Sequence, residues 1–279
     1  MTTTGTLDYA IVDLALEEDL GGGDVTSIAT IPEDMTCTAT IIAKERGVVA
    51  GLPVVLEVFH RVDPTVRVEL VAEDGDRITE LPTTLARIEG SARSVLAAER
   101  VSLNILGHLS GVATATRRYV DAVEGTGAGI LDTRKTLPGL RLLDKYAVVC
   151  GGGINHRIGL HDAILIKDNH LDIAGGVAAA VEAARAAYPD LNLTVEVERD
   201  DQLREAIDSG AERIMLDNMS PERMRNAVAL VAGRAEVEAS GGITLDNVRE
   251  VAETGVDVIS IGAITHSATW LDVSLEVHR

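Results

Sequence analysis

Leu193-Thr194-Val195-Glu196-Val197-Glu198 is a short β-rich run that closes on acids, and its grammar returns at Arg213-Ile214-Met215-Leu216-Asp217-Asn218, Ala235-Glu236-Val237-Glu238-Ala239-Ser240 and Val256-Asp257-Val258-Ile259-Ser260-Ile261-Gly262. Upstream, Gly129-Ile130-Leu131-Asp132-Thr133-Arg134 and Ala163-Ile164-Leu165-Ile166-Lys167-Asp168 make six such runs. Successive polar ends lie 29 residues (Lys167 to Glu196), 21 (to Asp217), 23 (to Ser240) and 22 (to Gly262) apart. Those are the lengths of a strand plus one crossover helix, and helices are expected over residues 176–188, 200–209, 221–231 and 245–254. Parallel strands joined by helices build either a barrel or an open doubly wound sheet. Catalytic groups in a (β/α) barrel come from the C-terminal ends of several strands, and here nearly every run ends in an ionisable residue or glycines, which favours the barrel. A charge after one apolar run can simply mark the chain leaving the core; six in succession make that reading weaker.

The first hundred residues lack this repeat. Segments 36–43, 47–59 and 66–72 read as strands or buried stretches between charged turns such as Glu73-Asp74-Gly75-Asp76. Residues 91–123 form a long helical stretch, interrupted near Gly107 and Gly111, that links two domains. The expected fold is therefore α/β: an N-terminal α+β sandwich over residues 1–102, then an open or incomplete (β/α) barrel over residues 103–266, with the tail 267–279 packing back on the first domain.

Of 279 residues, 25 are Lys or Arg and 44 are Asp or Glu, a formal charge of −19 that disfavours nucleic acid and anionic membranes as partners. Aromatics are only 2%, so base-stacking platforms are scarce and the core must be aliphatic. Cys37 and Cys150 support neither a disulfide framework nor a zinc site. Asp8, Asp13, Glu17, Glu18 and Asp19 occupy the stretch where a leader would carry basic and apolar residues, and a cytoplasmic protein is expected.

The charge inverts locally. Between Leu131 and His170, six cations face four carboxylates, a local +2 that leaves −21 for the rest, and three of the seven histidines (His156, His161, His170) fall in the same window. Arg141 and Lys145 fit solvated helix charges, but Arg134-Lys135 directly after a strand and Lys167 at the end of another point to a cationic pocket for a small, strongly anionic substrate. Glu196 and Asp217 close the next two strands, a pair suited to a hard divalent cation bridging phosphate oxygens; Asp217 or Asn218 could equally cap the following helix. Ser240-Gly241-Gly242 and Gly262-Ala263-Ile264-Thr265 end the last two strands, where barrels commonly form a phosphate cup from backbone N–H groups. Gly151-Gly152-Gly153 does not follow a strand and is not a dinucleotide fingerprint.

Taken together, Asp132-Thr133-Arg134-Lys135-Thr136-Leu137-Pro138-Gly139-Leu140-Arg141, Lys145-Tyr146-Ala147, Gly151-Gly152-Gly153-Ile154-Asn155-His156-Arg157 and Leu165-Ile166-Lys167-Asp168-Asn169-His170 resemble the quinolinate phosphoribosyltransferases. The resemblance continues through Glu196-Val197-Glu198, Leu216-Asp217-Asn218, Glu238-Ala239-Ser240-Gly241-Gly242 and Gly262-Ala263-Ile264-Thr265-His266-Ser267, and earlier through Glu18-Asp19-Leu20, Gly23-Asp24-Val25-Thr26, Ala98-Glu99-Arg100, Asn104 and Ser110-Gly111. Val149 departs from it, standing where relatives often carry a basic residue.

The resemblance implies a pentosyltransferase that joins quinolinate to 5-phosphoribosyl 1-pyrophosphate with Mg²⁺, releasing pyrophosphate and CO₂ and forming nicotinate mononucleotide for NAD synthesis. It implies that Arg134, His156, Arg157 and Lys167 hold the substrate carboxylates, with Arg100 supplied by the neighbouring subunit of a homodimer. It further implies that Lys135 serves the anionic pocket and the pyrophosphate, that Glu196 and Asp217 engage Mg²⁺ and the ribose, and that Ser240, Gly241, Gly242, Gly262 and His266 take phosphate. Lys135, Glu196 and Asp217 are the expected catalytic residues. The competing readings are a molybdenum-transport-associated paralogue of the same fold, a Schiff-base barrel enzyme with Lys135 or Lys167 as nucleophile, and a non-enzymatic anion binder.

Overall fold

The computed structural model describes residues 9–278. Residues 1–8 and 279, which include Asp8 and the outer ends of the expected first domain and tail, lie outside the described residues. The elements follow as α1 (Ala10–Leu20), α2 (Val25–Thr30), β1 (Thr36–Ala43), β2 (Gly47–Val48), α3 (Leu52–Val62), β3 (Arg67–Leu70), β4 (Arg77–Ile78), β5 (Thr83–Ser91), α4 (Ala92–Ala122), β6 (Gly129–Leu131), α5 (Arg141–Cys150) and β7 (Ile164–Ile166). Then come α6 (Asp168–Ala174), α7 (Val177–Ala187), β8 (Leu193–Val197), α8 (Asp200–Asp208), β9 (Arg213–Asp217), α9 (Pro221–Val231), β10 (Glu236–Ser240), α10 (Val248–Ala252), β11 (Val258–Ser260), α11 (Ala263–His266) and β12 (Val273–His278). The chain divides into two compact units: Met1–Arg117 with Thr136–Gly152 and Ser267–Arg279, and Arg118–Lys135 with Gly153–His266.

In the first unit an antiparallel sheet runs in the order β12-β1-β5-β3. The final strand pairs with the first, from Thr38 opposite His278 to Ala43 opposite Val273. Its core is aliphatic apart from Phe59, the chain's single Phe, and Ile41, Leu85, Leu106 and Leu109 are fully buried as Phe59 is. Residues 52–62, expected to be extended or simply buried, form a helix instead. Gly51 turns the chain in a left-handed conformation, Pro53 fits the first helical turn, and Leu52, Val54, Val55, Val58 and Phe59 make a buried face. The Asp74 carboxylate caps that helix from another loop, accepting the N–H groups of Gly51 at 2.8 Å and Leu52 at 3.0 Å.

α4 runs unbroken through Gly107 and Gly111, contrary to the expected interruption. These glycines are one turn apart because the backbone of residues 269–271 lies against that face: a Cβ on Gly107 would sit 3.1 Å from the Leu271 carbonyl oxygen, and one on Gly111 would strike Thr269. The Leu271 N–H donates to the Gly107 carbonyl at 2.9 Å. α5 is tied to α4 by the buried His108–Asp144 pair, Nε2 to Oδ1 at 2.6 Å. Lys145, expected to be a solvated helix charge, is only 2% exposed. Among the described residues no helix is long and apolar enough to cross a membrane.

The second unit is a six-stranded parallel sheet in the order β6-β11-β10-β9-β8-β7. Its alternate residues Leu193, Val195, Val197, Ile214, Leu216, Val237, Ala239 and Ile259 are buried, as are Leu203, Met224 and Val251 of the crossover helices. The intervening positions Glu196, Met215, Asp217, Glu238 and Ser240 share the other face, in register across β8, β9 and β10. β6 and β7 are the two ends of the strand order and are not paired with each other, which is the open form of barrel expected from the sequence.

At the end of α5, burial and the Asp74 carboxylate push the Cys150 thiol up to about 12 from its ordinary 9.0. Burial, and then the 2.7 Å hydrogen bond to Asp74, raises the Tyr146 hydroxyl above its ordinary range as well. The unfolded chain releases these protons at lower pH than the folded one, so the stability they contribute is whole below 9.0 and is lost as pH rises toward 12. Urea midpoints measured over that window should fall with pH, and Cys150→Ala should make the decline shallower; a flat profile would contradict the assignment.

Candidate active site

The C-terminal ends of all six strands converge on one cavity of about 670 Å³, which requires the sheet to roll up. Of the expected site residues, Arg134, Lys135, His156, Arg157, Lys167, Glu196, Asp217, Ser240, Gly241, Gly242, Gly262 and His266 line it. Arg100 lies on α4 in the first unit, exposed, 3.8 Å from Glu99, and is not part of this lining.

The cations come from the two edges of the sheet. After β6, Thr133 Oγ1 accepts the Lys135 N–H at 3.0 Å, and the Lys135 carbonyl accepts Thr265 Oγ1 at 2.9 Å, so a turn and a tether hold Arg134-Lys135 at the cavity. Alongside β6 runs the segment after Gly153: the Ile154 N–H donates to the Ile130 carbonyl at 2.8 Å and the Asp132 N–H to the Ile154 carbonyl at 3.1 Å. Asp132, fully buried, then accepts the His156 N–H at 2.8 Å. That borrowed register brings His156 and Arg157 beside Arg134. Burial lowers the Arg157 guanidinium below its ordinary range, and the Arg134 charge adds to this against the opposing pull of Asp162. Two guanidiniums held this close form a slot that an anion relieves.

Lys167, at the end of β7, forms an ion pair with Glu196 at the end of β8. His170, one of the three histidines in the cationic window, is spent locally: its Nδ1 accepts the Lys167 N–H at 2.9 Å and caps α6. Glu196 and Asp217 share the inward face two positions apart in register, because Glu196 opposes Met215. Neither Asp217 nor Asn218 caps the following helix. Ser220 does so, its Oγ accepting the Arg223 N–H, so Asp217 stays at the cavity, where it accepts Asn218 Nδ2 at 2.6 Å.

The glycine rim is built by close approach. Gly241 has φ +94°, and a Cβ there would collide with the Asn218 side chain. At Gly262 a Cβ would lie 3.0 Å from Lys135 Cδ and 3.2 Å from His266 Nε2. α11, which follows Gly262, is only four residues long, so backbone N–H groups and side chains, rather than an extended helix dipole, carry anion binding there. Asn218, which the sequence offered as a helix cap and as part of the Leu216-Asp217-Asn218 motif but not as a site residue, also lines the cavity. Its signal is an Asn at a strand end adopting φ 51°, a conformation Asn tolerates better than most side chains.

Comparison with known proteins accords with this geometry. The family model described as quinolinate phosphoribosyl transferase, C-terminal domain, matches residues 112–276, and its N-terminal counterpart matches residues 24–110. A Bacillus subtilis protein named probable nicotinate-nucleotide pyrophosphorylase [carboxylating] is 45% identical over 261 residues, covering 93% of this chain and 90% of its own. The chloroplastic nicotinate-nucleotide pyrophosphorylase [carboxylating] of Oryza sativa subsp. japonica is 45% identical over 288 residues, covering 96% and 77%. The crystal structure of NadC from Streptococcus pyogenes superposes with a TM-score of 0.94 at 40% identity, covering 99% of this chain and all of that one.

Gly262→Ala should push Lys135 and His266 apart and weaken binding of inorganic phosphate about tenfold, a loss of about 1.4 kcal/mol, with little change in melting temperature. Titration calorimetry of the two proteins checks this, and unaltered affinity would show that Gly262 is not part of an anion cup.

Proposed function

The chain belongs to the quinolinate phosphoribosyltransferase family, and from that premise we propose that it joins quinolinate to 5-phosphoribosyl 1-pyrophosphate, releasing pyrophosphate and CO₂ and forming nicotinate mononucleotide in NAD biosynthesis. The observation that carries the reading is the arrangement of charge within one cavity: Arg134, Lys135, Arg157 and Lys167 enter from the sheet edges, Glu196 and Asp217 stand on β8 and β9 with Glu196 ion-paired to Lys167, and the serine-glycine rim lies on β10 and β11. A dicarboxylate calls for several donors, and guanidinium groups recognise carboxylates bidentately as ammonium groups cannot. Arg134, Arg157 and Lys167 take that role, with His156 beside them, and Lys135 serves the pyrophosphate. Ser240, Gly241, Gly242, Gly262 and His266 receive the 5-phosphate. The neighbouring subunit of a homodimer supplies Arg100, and the reaction takes place in the cytoplasm.

Departure of pyrophosphate leaves positive charge on the ribose ring, which Glu196 and Asp217 stabilise at short range. The pyridine nitrogen closes the bond to the sugar carbon and becomes a pyridinium. When the 2-carboxylate leaves as CO₂, the electron pair of the broken bond stays on the ring, a proton replaces the carboxylate, and the cationic ring lowers the barrier. The protein supplies position and preorganised charge. Among the described residues no group of three His, Cys, Asp or Glu side chains is arranged to hold a metal unaided. Two carboxylates on adjacent strand ends nevertheless fit Mg²⁺, which typically takes one or two protein carboxylates and completes its shell with water and substrate phosphates. Glu196 and Asp217 would hold it, and its chemistry is neutralisation of charge on the pyrophosphate.

The test is release of ¹⁴CO₂ from carboxyl-labelled quinolinate, with and without phosphoribosyl pyrophosphate, with nicotinate run in parallel as the competing acceptor. Label should appear only in the complete mixture. Binding of quinolinate without release would favour the anion binder or the molybdenum-associated paralogue, and a borohydride-trapped adduct on Lys135 or Lys167 would favour the Schiff-base enzyme. Arg134→Ala should lower kcat/KM about a hundredfold or more by leaving a substrate carboxylate unpaired, and near-normal activity would sink that assignment. Mixing Arg100→Ala chains with Lys135→Ala chains should restore part of the activity each lacks, since a shared site leaves one intact copy in a heterodimer.

A further inference from the structure

We infer that Glu238, buried inside the barrel, is a positioning residue: it holds the His156 ring in its Nε2–H form, and that ring fixes the backbone from which Arg157 reaches the cavity. What Arg157 does for substrate rests on the function proposed above; the state of the ring does not.

Glu238 lies in the middle of β10, in register with Met215 of β9 and Val258 of β11, and has no exposed surface. An ionised carboxylate in such a place is strongly disfavoured unless charges and donors close over it. Ser260 Oγ on β11 donates to Oε1. On the other side, Oε2 lies 3.5 Å from Arg213 Nη1 and 3.4 Å from His156 Nε2. Arg213 is shared, since its Nε donates to Glu236 Oε2 at 2.6 Å, so one guanidinium serves two carboxylates and the His156 edge is the other group that approaches Glu238 Oε2.

The other ring nitrogen settles which form of His156 is present. His156 Nδ1 accepts the Arg157 N–H at 2.7 Å, and an accepting nitrogen carries no proton. The ring proton therefore sits on Nε2, the atom that faces Glu238. This is the arrangement by which a carboxylate or carbonyl behind a histidine selects its tautomer. Asp132 accepts the His156 N–H and the ring accepts the Arg157 N–H, two hydrogen bonds in succession behind one guanidinium, and the Glu238 carboxylate stands behind the ring at 3.4 Å from Nε2. His156, which also lines the cavity, thus has Nδ1 committed to the Arg157 N–H and Nε2 turned toward Glu238. Because Arg157 already shares its slot with Arg134, a small displacement of its backbone is felt directly at the anion.

The experiment uses the full chain labelled with ¹⁵N at histidine, without substrate, the His156 signals being assigned by their loss in His156→Asn. The wild type should show the protonated-Nε2, bare-Nδ1 pair of ring shifts, and Glu238→Gln, which keeps the shape but swaps an acceptor oxygen for an amide, should lose that pattern. In steady-state assays Glu238→Gln should raise KM for quinolinate about tenfold while KM for phosphoribosyl pyrophosphate stays within about twofold, and Glu238→Asp should recover part of the loss. A wild-type ring protonated at Nδ1, an unchanged ring pattern in Glu238→Gln (which would show that the Arg157 N–H alone fixes the tautomer), or an equal rise in both KM values with a lowered melting temperature, would overturn the inference. The shifts need no turnover, so a chain that shows the expected tautomer but leaves quinolinate untouched would refute the proposed function and uphold the role of Glu238.

Discussion

Parallel strands hydrogen-bonded in register carry side chains of equal rank to equal height, and this constraint governs the second unit. Ser240 stands opposite Asp217, Glu238 opposite Met215, and Met215 opposite Glu196. One face of each strand is given to aliphatic packing against helices, so the other face turns every second residue inward whatever its chemistry. The interior therefore fills in layers, with Arg213 and Glu236 at the strand starts, Glu238 with Met215 and Val258 above them, and Asp217 with Ser240 at the rim. A slip of one residue in any strand would exchange its polar interior for its apolar exterior, which is why fold and site stand or fall together.

The same ladder explains where the cations are. Central strands have both edges committed, and their ends carry acids, serine and glycine; the four Lys and Arg side chains arrive from β6, the segment beside it, and β7. Edge strands are followed by longer excursions, because there is no next strand to which the chain must return at once. Residues 132–163 are one such excursion, and the Ile154 pairing with β6 lends it local rigidity. The cationic wall thus occupies the one sector of the barrel where backbone geometry is not dictated by two neighbours.

The strand ends were legible from the sequence because their signal is local: an apolar run, a polar terminus, and a regular interval. Nine of the twelve expected site residues at the cavity follow from that signal, whereas His156, Arg157 and His266 stand at no strand end and are implied only by the family resemblance. What stayed hidden depended on distant partners. Nothing within residues 47–59 announces that Asp74 caps a helix there, and Gly107 and Gly111 look like helix breakers until residues 269–271 are seen to lie against them. Glu238 is the sharpest instance. In the sequence it is one more acid in an alternating strand, and only the side chains of Ser260 and Arg213 reaching it from the neighbouring strands, and the 3.4 Å approach of His156, give it a part to play. Lys145 misled in the opposite sense, since a charge on a helix is ordinarily solvated and this one is not.

The pairing of β12 with β1 has a bearing on how the molecule is made. Position 43 hydrogen-bonds with a strand that begins at position 273, so while the chain emerges from a ribosome the outer edge of β1 waits, unpaired, for the entire barrel to be translated. The barrel has no such debt to the future, because all its strands lie between residues 129 and 260. Synthesis therefore favours an order in which the later-coded unit closes first and the earlier-coded sheet last. Until then β1 is an open template for any passing strand, and a nascent-chain chaperone would find its work there.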